Sequence, residues 1–532
     1  MRAQPFENEL TVAAHRRDGT VDEFHRAYED ALDAVEGRLG ETHPLVIDGD
    51  AAWTDDRFTV TSPGDRDRVI GEFAAGDATD VDRAVDAATE RFDAWRSTTV
   101  ADRVEPFRRA AEIVRDRKYE LAATLTLEAG KNRTEAMAGV DEGIDFLRFY
   151  AREFDRHDGY RLDTGEPTPG QRCENRRVPF GTFGVVGPFN FPFAIFVGMT
   201  TAAAITGNTV VAKPASATPL IAHEFVEILA EAGLPDGAVN LVTGGGSAVG
   251  GPLIEHEDVD GVAFTGSRAV GREIQRTFVE REKPGPVVAE LGGKNPVIVT
   301  DHADLDRAVS GVARGAFGFA GQKCSATSRV YVHEGVIDSF TPALVREAEE
   351  LAVLPPGEAE AFVSLVIDDD ALARYRRICE TAREDGTVHT GGHVVDSEAL
   401  PDGRYVEPTV VTEIPHGHDL AREEHFLPFV TIHPVSDLDE AITKANDSEY
   451  GLCAGLFSES DAEIEAWFDR IESGMCYVNR AQSATTGALV GAQPFGGWKA
   501  SGTTNTFAGG YRYLPQFMRE QTRTVVSEVE PQ

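Results

Sequence analysis

Lysine is scarce in this chain. Only eight of its 51 basic residues are lysines (Lys118, Lys131, Lys213, Lys283, Lys294, Lys323, Lys444 and Lys499), set against 89 Asp and Glu, for a formal net charge of -38 and a pI near 4.7. A surface this poor in positive charge repels nucleic acid and anionic membranes, so neither is an expected partner. Its self-repulsion is screened in molar salt, where the Debye length is about 3 Å, and destabilises the compact state when salt is withdrawn. The composition therefore predicts adaptation to high salt. Three of the eight lysines, Lys213, Lys294 and Lys323, fall inside the motifs described below, as if lysine were kept mainly where chemistry requires it.

Cysteine is equally sparse. Cys173, Cys324, Cys379, Cys453 and Cys476 form no CxxC pair, which excludes a disulfide framework and a cysteine-based zinc site, and a reducing cytoplasm is expected. No metal site is indicated. Residues around Glu7 and Glu9 contain no apolar core, so no signal peptide is expected. No uninterrupted membrane span is present either. The longest apolar stretch, 191–212, is broken by Thr200, Thr201, Thr206, Gly207, Asn208 and Thr209, and reads as a buried helix followed by a strand. Internal repeats and low-complexity tracts are absent.

What is present is ordinary core-forming material. Hydrophobic residues at 41% and charged residues at 26% suit a folded protein, and 532 residues suggest two to four domains at about 150 residues each. Between 183 and 291, β-branched runs at 183–186, 209–212, 239–242, 262–264 and 287–289 alternate with helical stretches, the pattern of βαβ units and a parallel sheet. In the helix expected over 219–232, Leu220, Ile221, Phe225, Ile228 and Leu229 make a stripe of period 3.6, and Gly233 can end it. Further helices are expected at 107–130, 135–154, 305–317, 336–351 and 369–383. The Pro- and Gly-containing segment 161–180 reads as a projecting hairpin or a linker, and a second α/β unit is expected over about 294–500.

Two residues suggest chemistry. Cys324 lies in Gly321-Gln322-Lys323-Cys324-Ser325, and Glu290 in Glu290-Leu291-Gly292-Gly293-Lys294. A thiolate attacks an aldehyde carbonyl, and the acyl-thioester left after hydride loss needs an activated water, which a carboxylate supplies. A lone cysteine is more often a small buried hydrophobe, so the surrounding motifs decide. In order along the chain they are Gly187-Pro188-Phe189-Asn190-Phe191-Pro192, Lys213-Pro214-Ala215-Ser216, Phe264-Thr265-Gly266-Ser267, the Glu290 and Cys324 motifs, Glu423-Glu424-His425-Phe426 and Pro494-Phe495-Gly496-Gly497.

In this order and spacing the chain resembles the aldehyde dehydrogenase superfamily. The resemblance implies an α/β fold with a Rossmann-like cofactor domain, an α/β catalytic domain and a small β element for oligomerisation. Its expected bounds are an N-terminal helical part and the start of the cofactor domain at 1–160, a hairpin at 161–180, the cofactor domain at 181–293, the catalytic domain at 294–502, and an oligomerisation strand with a tail at 503–532. Cys324 would be the nucleophile and Glu290 the base, with the Asn190 amide and the Cys324 N–H holding the oxyanion. The cofactor, NAD or NADP, would meet Pro188, Lys213, Ser216, Gly266, Ser267, Gly271, Glu424 and Phe426, the Gly266-Ser267 turn offering its helix N-terminus to the pyrophosphate. Ser216 stands where many NAD-specific relatives carry a glutamate, and a neutral side chain there removes a charge that would repel a 2′-phosphate. His425 and Leu427 replace the usual Ile and Gly beside Phe426.

Within the superfamily, Glu142-Gly143-Ile144-Asp145-Phe146, the Ser216 form of the lysine motif, Phe317-Gly318-Phe319 and Ala508-Gly509-Gly510 look like the branch that oxidises glutamate semialdehyde to glutamate in proline breakdown. By that resemblance Gly487, Ala488 and Ser325 would hold the amino-acid end of the substrate, Phe495 would wall its aliphatic chain and Glu142 would complete the site. A homodimer or larger homo-oligomer is implied. The alternatives are the same chemistry on another semialdehyde or on a broad range of aldehydes, and a non-catalytic protein that has kept the fold. Loss of the nucleophile or base would favour the second, and both are present.

Overall fold

A computed structural model describes residues 6–362, 365–481 and 489–527. Two seven-stranded sheets organise it. The first runs Val287–Glu290, Val259–Thr265, Thr182–Val186, Thr209–Lys213, Val239–Leu241, Leu45–Ile47 and Asp50–Ala52. Its first five strands are parallel, and the last two turn antiparallel. The chain builds outward from Thr182–Val186 in one direction and then returns to place Val259–Thr265 on its other side. This reversal makes a topological switch point, the place where open α/β sheets bind ligands beyond their carboxyl ends.

All five expected strands are there, each within three residues of its predicted ends. The apolar stretch 191–212 resolves into the helix Ala194–Ile205 and the strand Thr209–Lys213, both buried. The helix Leu220–Glu231 is followed by Gly233 at a φ of +86°, as expected of a glycine that turns the chain out of a helix. Among the described residues, no helix is long and apolar enough to cross a membrane.

One expectation is corrected. The single helix over 107–130 is two, Val100–Asp116 and Lys118–Ala129, because the chain leaves helical geometry at Arg117. Within the helical region 1–160, residues 41–74 also contribute strands to the first sheet and a separate three-stranded sheet of Glu41–His43, Asp65–Ala74 and Arg57–Ser62, which the sequence reading did not anticipate. Their short, interrupted apolar runs carried little periodic signal.

The second sheet runs Thr387–Thr390, Thr409–Thr412, Phe429–Val435, Thr327–His333, Asn295–Val299, Cys453–Phe457 and Met475–Val478, parallel except for its first strand. Helices Leu305–Phe317, Ile337–Glu350 and Asp369–Asp385 accompany it. The two sheets are stitched by residues 501–503. Leu291 donates to the Ser501 carbonyl at 2.9 Å, and Thr503 donates to the Ala289 carbonyl at 3.0 Å. The segment 161–180 is a hairpin, Arg161–Gly165 with Gln171–Pro179, and Met518–Val526 joins it as a third strand paired antiparallel along its length. This small sheet is largely exposed, with Leu162, Val525 and Val526 uncovered.

Candidate active site

Cys324 reaches the seam between the two sheets on a constrained turn. After the helix Leu305–Phe317 the chain passes through Phe319, Ala320 and Gly321 at φ of +49°, +53° and +66°. Gly321 is required there, since a Cβ would lie 2.1 Å from the Leu427 carbonyl oxygen. Gln322 fixes the next step, accepting from Ile367 N–H at 2.9 Å and donating to the Leu365 carbonyl at 3.0 Å. The Asn295 amide then donates to the carbonyls of Cys324 and Ala326 at 2.8 and 2.9 Å and accepts from Cys453 N–H at 3.0 Å. The Cys324 side chain is buried. Burial, followed by the charges of Glu424 and Glu290, pushes its thiol well above the usual cysteine range. In the ligand-free protein it is therefore a thiol, and reaction requires that its proton be taken away.

Glu290 ends the strand Val287–Glu290, where it pairs with Gly502. Burial holds its carboxyl well above the usual carboxylate range, opposed by the Gly497 N–H. Its Oε2 has no hydrogen-bond partner among the described residues and lies open toward the Gly502 Cα, where an added Cβ would sit 3.7 Å away. A buried, unpaired carboxyl with a raised proton affinity is suited to take a proton from water. Asn190, buried in the loop after Thr182–Val186, lies beyond the end of that strand, which Val259–Thr265 separates from Val287–Glu290.

The cofactor candidates collect at the carboxyl edge of the first sheet. Lys213 closes its strand with Nζ donating to the Pro214 carbonyl at 3.0 Å, and burial lowers it to about 8. Ser216 Oγ donates to the Gly244 carbonyl at 2.8 Å. Ser267 caps the helix Arg268–Glu280, whose positive end faces the crevice. Gly245 and Gly246 have open space where a Cβ would stand, so the backbone is free for close approach. Glu424 accepts from Gly293 N–H at 2.9 Å, and burial raises it to about 7. Phe426, at a φ of +59°, meets Phe189 edge-on at 5.7 Å, while the departure at His425 is absorbed by a contact of its Nε2 with the Leu420 carbonyl at 3.2 Å. An anion-facing helix end, a buried ammonium, a glycine-lined approach and a half-buried carboxylate form a donor set that fits a nicotinamide dinucleotide. Gly271 has another reason to be glycine: a Cβ would come within 2.3 Å of Leu291, so it serves helix-to-strand packing.

On the opposite side, Ser325 is buried beside Cys324 and Phe495 pairs with Ala508. Burial, reinforced by Asp145 and opposed by Lys131, raises Glu142 to about 7. Gly487 and Ala488 lie outside the described residues. Sequence reasoning missed Asn295, Lys131 and the ion pair of Lys323 with Glu135. The scarcity of lysine was the available signal, because Lys131, Lys213, Lys294 and Lys323 are all buried.

Comparison with known proteins agrees with this geometry. The pattern of the aldehyde dehydrogenase family matches residues 51–523. The chain is 39% identical over 527 residues to a 1-pyrroline-5-carboxylate dehydrogenase of Geobacillus thermodenitrificans, covering 98% of this chain and 99% of that one. It superposes on 1-pyrroline-5-carboxylate dehydrogenase from Thermus with bound NAD at a TM-score of 0.91 and 35% identity, covering 99% of this chain and all of that one. Proline utilization A from Bdellovibrio bacteriovorus matches at a TM-score of 0.92 and 34% identity, and there the chain covers 54% of the larger protein. By sequence and fold alike, the chain belongs to the aldehyde dehydrogenase family.

Proposed function

We propose that this protein oxidises L-glutamate 5-semialdehyde, the open form of 1-pyrroline-5-carboxylate, to L-glutamate with NAD or NADP, a step of proline degradation. The observation that carries the reading is the placing of Cys324 and Glu290 together at the seam, close enough for the carboxylate charge to act on the thiol. In support stand relatives of that name that match the chain from end to end.

Cys324 gives its proton up to water, and its sulfur bonds to the aldehyde carbon as the carbonyl π pair moves to oxygen, giving a thiohemiacetal whose oxyanion is held by the Asn190 amide and the Cys324 N–H. Loss of one such donor typically raises the barrier by about 3 to 4 kcal/mol. Re-forming the carbonyl from that oxyanion breaks the C–H bond and leaves a thioester on Cys324, the hydride being one that a bound nicotinamide would accept. Glu290 then takes a proton from water, whose oxygen attacks the thioester carbon, and the carbon–sulfur bond breaks to release the acid. Lys213, Ser216, Gly266, Ser267, Glu424, Phe426 and Pro188 hold the cofactor. Ser325, Phe495, Glu142 and the backbone at Gly487 and Ala488 hold the substrate.

The same reading extends to assembly and setting. The exposed three-stranded sheet is the oligomerisation element of a homodimer or larger homo-oligomer, and the protein works in a salt-rich cytoplasm. The test is reduced-cofactor formation in high potassium chloride, with pyrroline-5-carboxylate against other semialdehydes and simple aldehydes. A kcat/KM about tenfold above the others, ~1.4 kcal/mol of preference, is expected for pyrroline-5-carboxylate. A flat profile would retain the dehydrogenase and discard the substrate.

A further inference from the structure

Lys131 lies between the helices Lys118–Ala129 and Arg133–Arg156, in a connection made tight by Gly130 at a φ of +73° and by Asn132, which caps the second helix. It is wholly buried, and its Nζ has no hydrogen-bond partner among the described residues. The ammonium instead sits 4.2 Å from the ring centre of Phe191 and 3.9 Å from that of Phe319. These rings belong to different functional segments. Phe191 directly follows Asn190, and Phe319 lies in the left-handed turn that delivers Cys324.

An ammonium is strongly hydrated, and burying one without an acceptor is unfavourable. A methionine would fill similar space without that cost, so packing alone does not explain a lysine here. Two ring faces give the charge partial compensation, and cation–π attraction is strongest where water is excluded. Burial lowers Lys131 to about 7, while Glu135 and Glu142 from the following helix favour the charged form and Lys323, next to Cys324, opposes it.

We infer that Lys131 is a positioning residue for aldehyde oxidation, its ammonium clasping Phe191 and Phe319 so that the oxyanion donor Asn190 and the nucleophile Cys324 are held in register. The inference rests on the roles given to those two residues above. It predicts that the clasp acts on the reaction more than on cofactor binding.

The experiment compares the parent with K131M, K131R, F319L and the K131M/F319L double variant. It measures kcat and KM for the aldehyde, cofactor Kd and the rate of Cys324 alkylation by iodoacetamide. K131M and F319L should each lower kcat by about tenfold or more, with cofactor Kd within about twofold of the parent. The double variant should be no slower than the worse single, since both break one clasp. K131R, which keeps the charge, should recover part of the lost kcat. A folded K131M with kcat and alkylation rate like the parent's, or additive losses in the double variant, would overturn the inference. If K131M does not fold, F319L decides: parental kcat overturns the clasp. A parent inactive on every aldehyde would instead overturn the proposed function.

Discussion

The Asn295 side chain donates a 2.8 Å hydrogen bond to the carbonyl of Cys324, fastening that cysteine to the first residue of a central strand in the second sheet. The same amide holds Ala326 and Cys453, so one side chain fixes the turn from three directions. Asn295→Ala leaves buried backbone groups without partners, at about 1 to 3 kcal/mol each. A lower Tm together with a lower kcat is expected from thermal unfolding and steady-state assays, and a normal kcat would show that the turn holds Cys324 without this amide.

The state of the thiol has its own signature. Since burial and two nearby carboxylates raise Cys324, the thiolate fraction in the cofactor-free protein grows with pH through and beyond the ordinary thiol value of about 8.5. Iodoacetamide alkylation of Cys324 should therefore still accelerate above that pH. A plateau by neutral pH would reveal an activating group in the resting enzyme.

Glu290→Gln should separate the two halves of the reaction. The acyl-enzyme forms and then waits, giving a burst of about one reduced cofactor per active site before a steady rate lowered by roughly 10² to 10⁴-fold. The parent carboxyl is raised by burial, so it gains its proton, and stops acting as a base, at a pH above the normal carboxylate range. The acid limb of kcat should lie correspondingly high and disappear in the Gln variant. Stopped-flow absorbance reads both outcomes.

In the proposed cofactor site Ser216, with its hydroxyl on the Gly244 carbonyl, would set the charge at the adenosine end. Ser216→Glu places an anion where a 2′-phosphate would lie, and the NADP to NAD ratio of kcat/KM should fall by about tenfold or more. An unchanged ratio would move the specificity determinant elsewhere.

Salt should act on the whole molecule. With a net charge of -38, raising potassium chloride from about 0.1 M to about 2 M shortens the Debye length and relieves self-repulsion, so Tm should rise. A flat or falling Tm would reject salt adaptation.

The sequence by itself determined the parallel-sheet fold and the strands of the first sheet, and it singled out Cys324 and Glu290 as candidates. Hydrophobic periodicity and short motifs report local geometry, and these features are local: a βαβ alternation, a glycine turn, a cysteine three residues after a Gly. Only the tertiary structure decided how remote segments meet. The stitching of 501–503 onto Ala289 and Leu291, the Asn295 tie to Cys324 and the Lys131 contact with Phe191 and Phe319 span tens to hundreds of residues. Such contacts leave no periodic trace in a single chain. The break at Arg117 and the strands of 41–74 were hidden for a related reason, since packing rather than local preference sets where short elements begin and end.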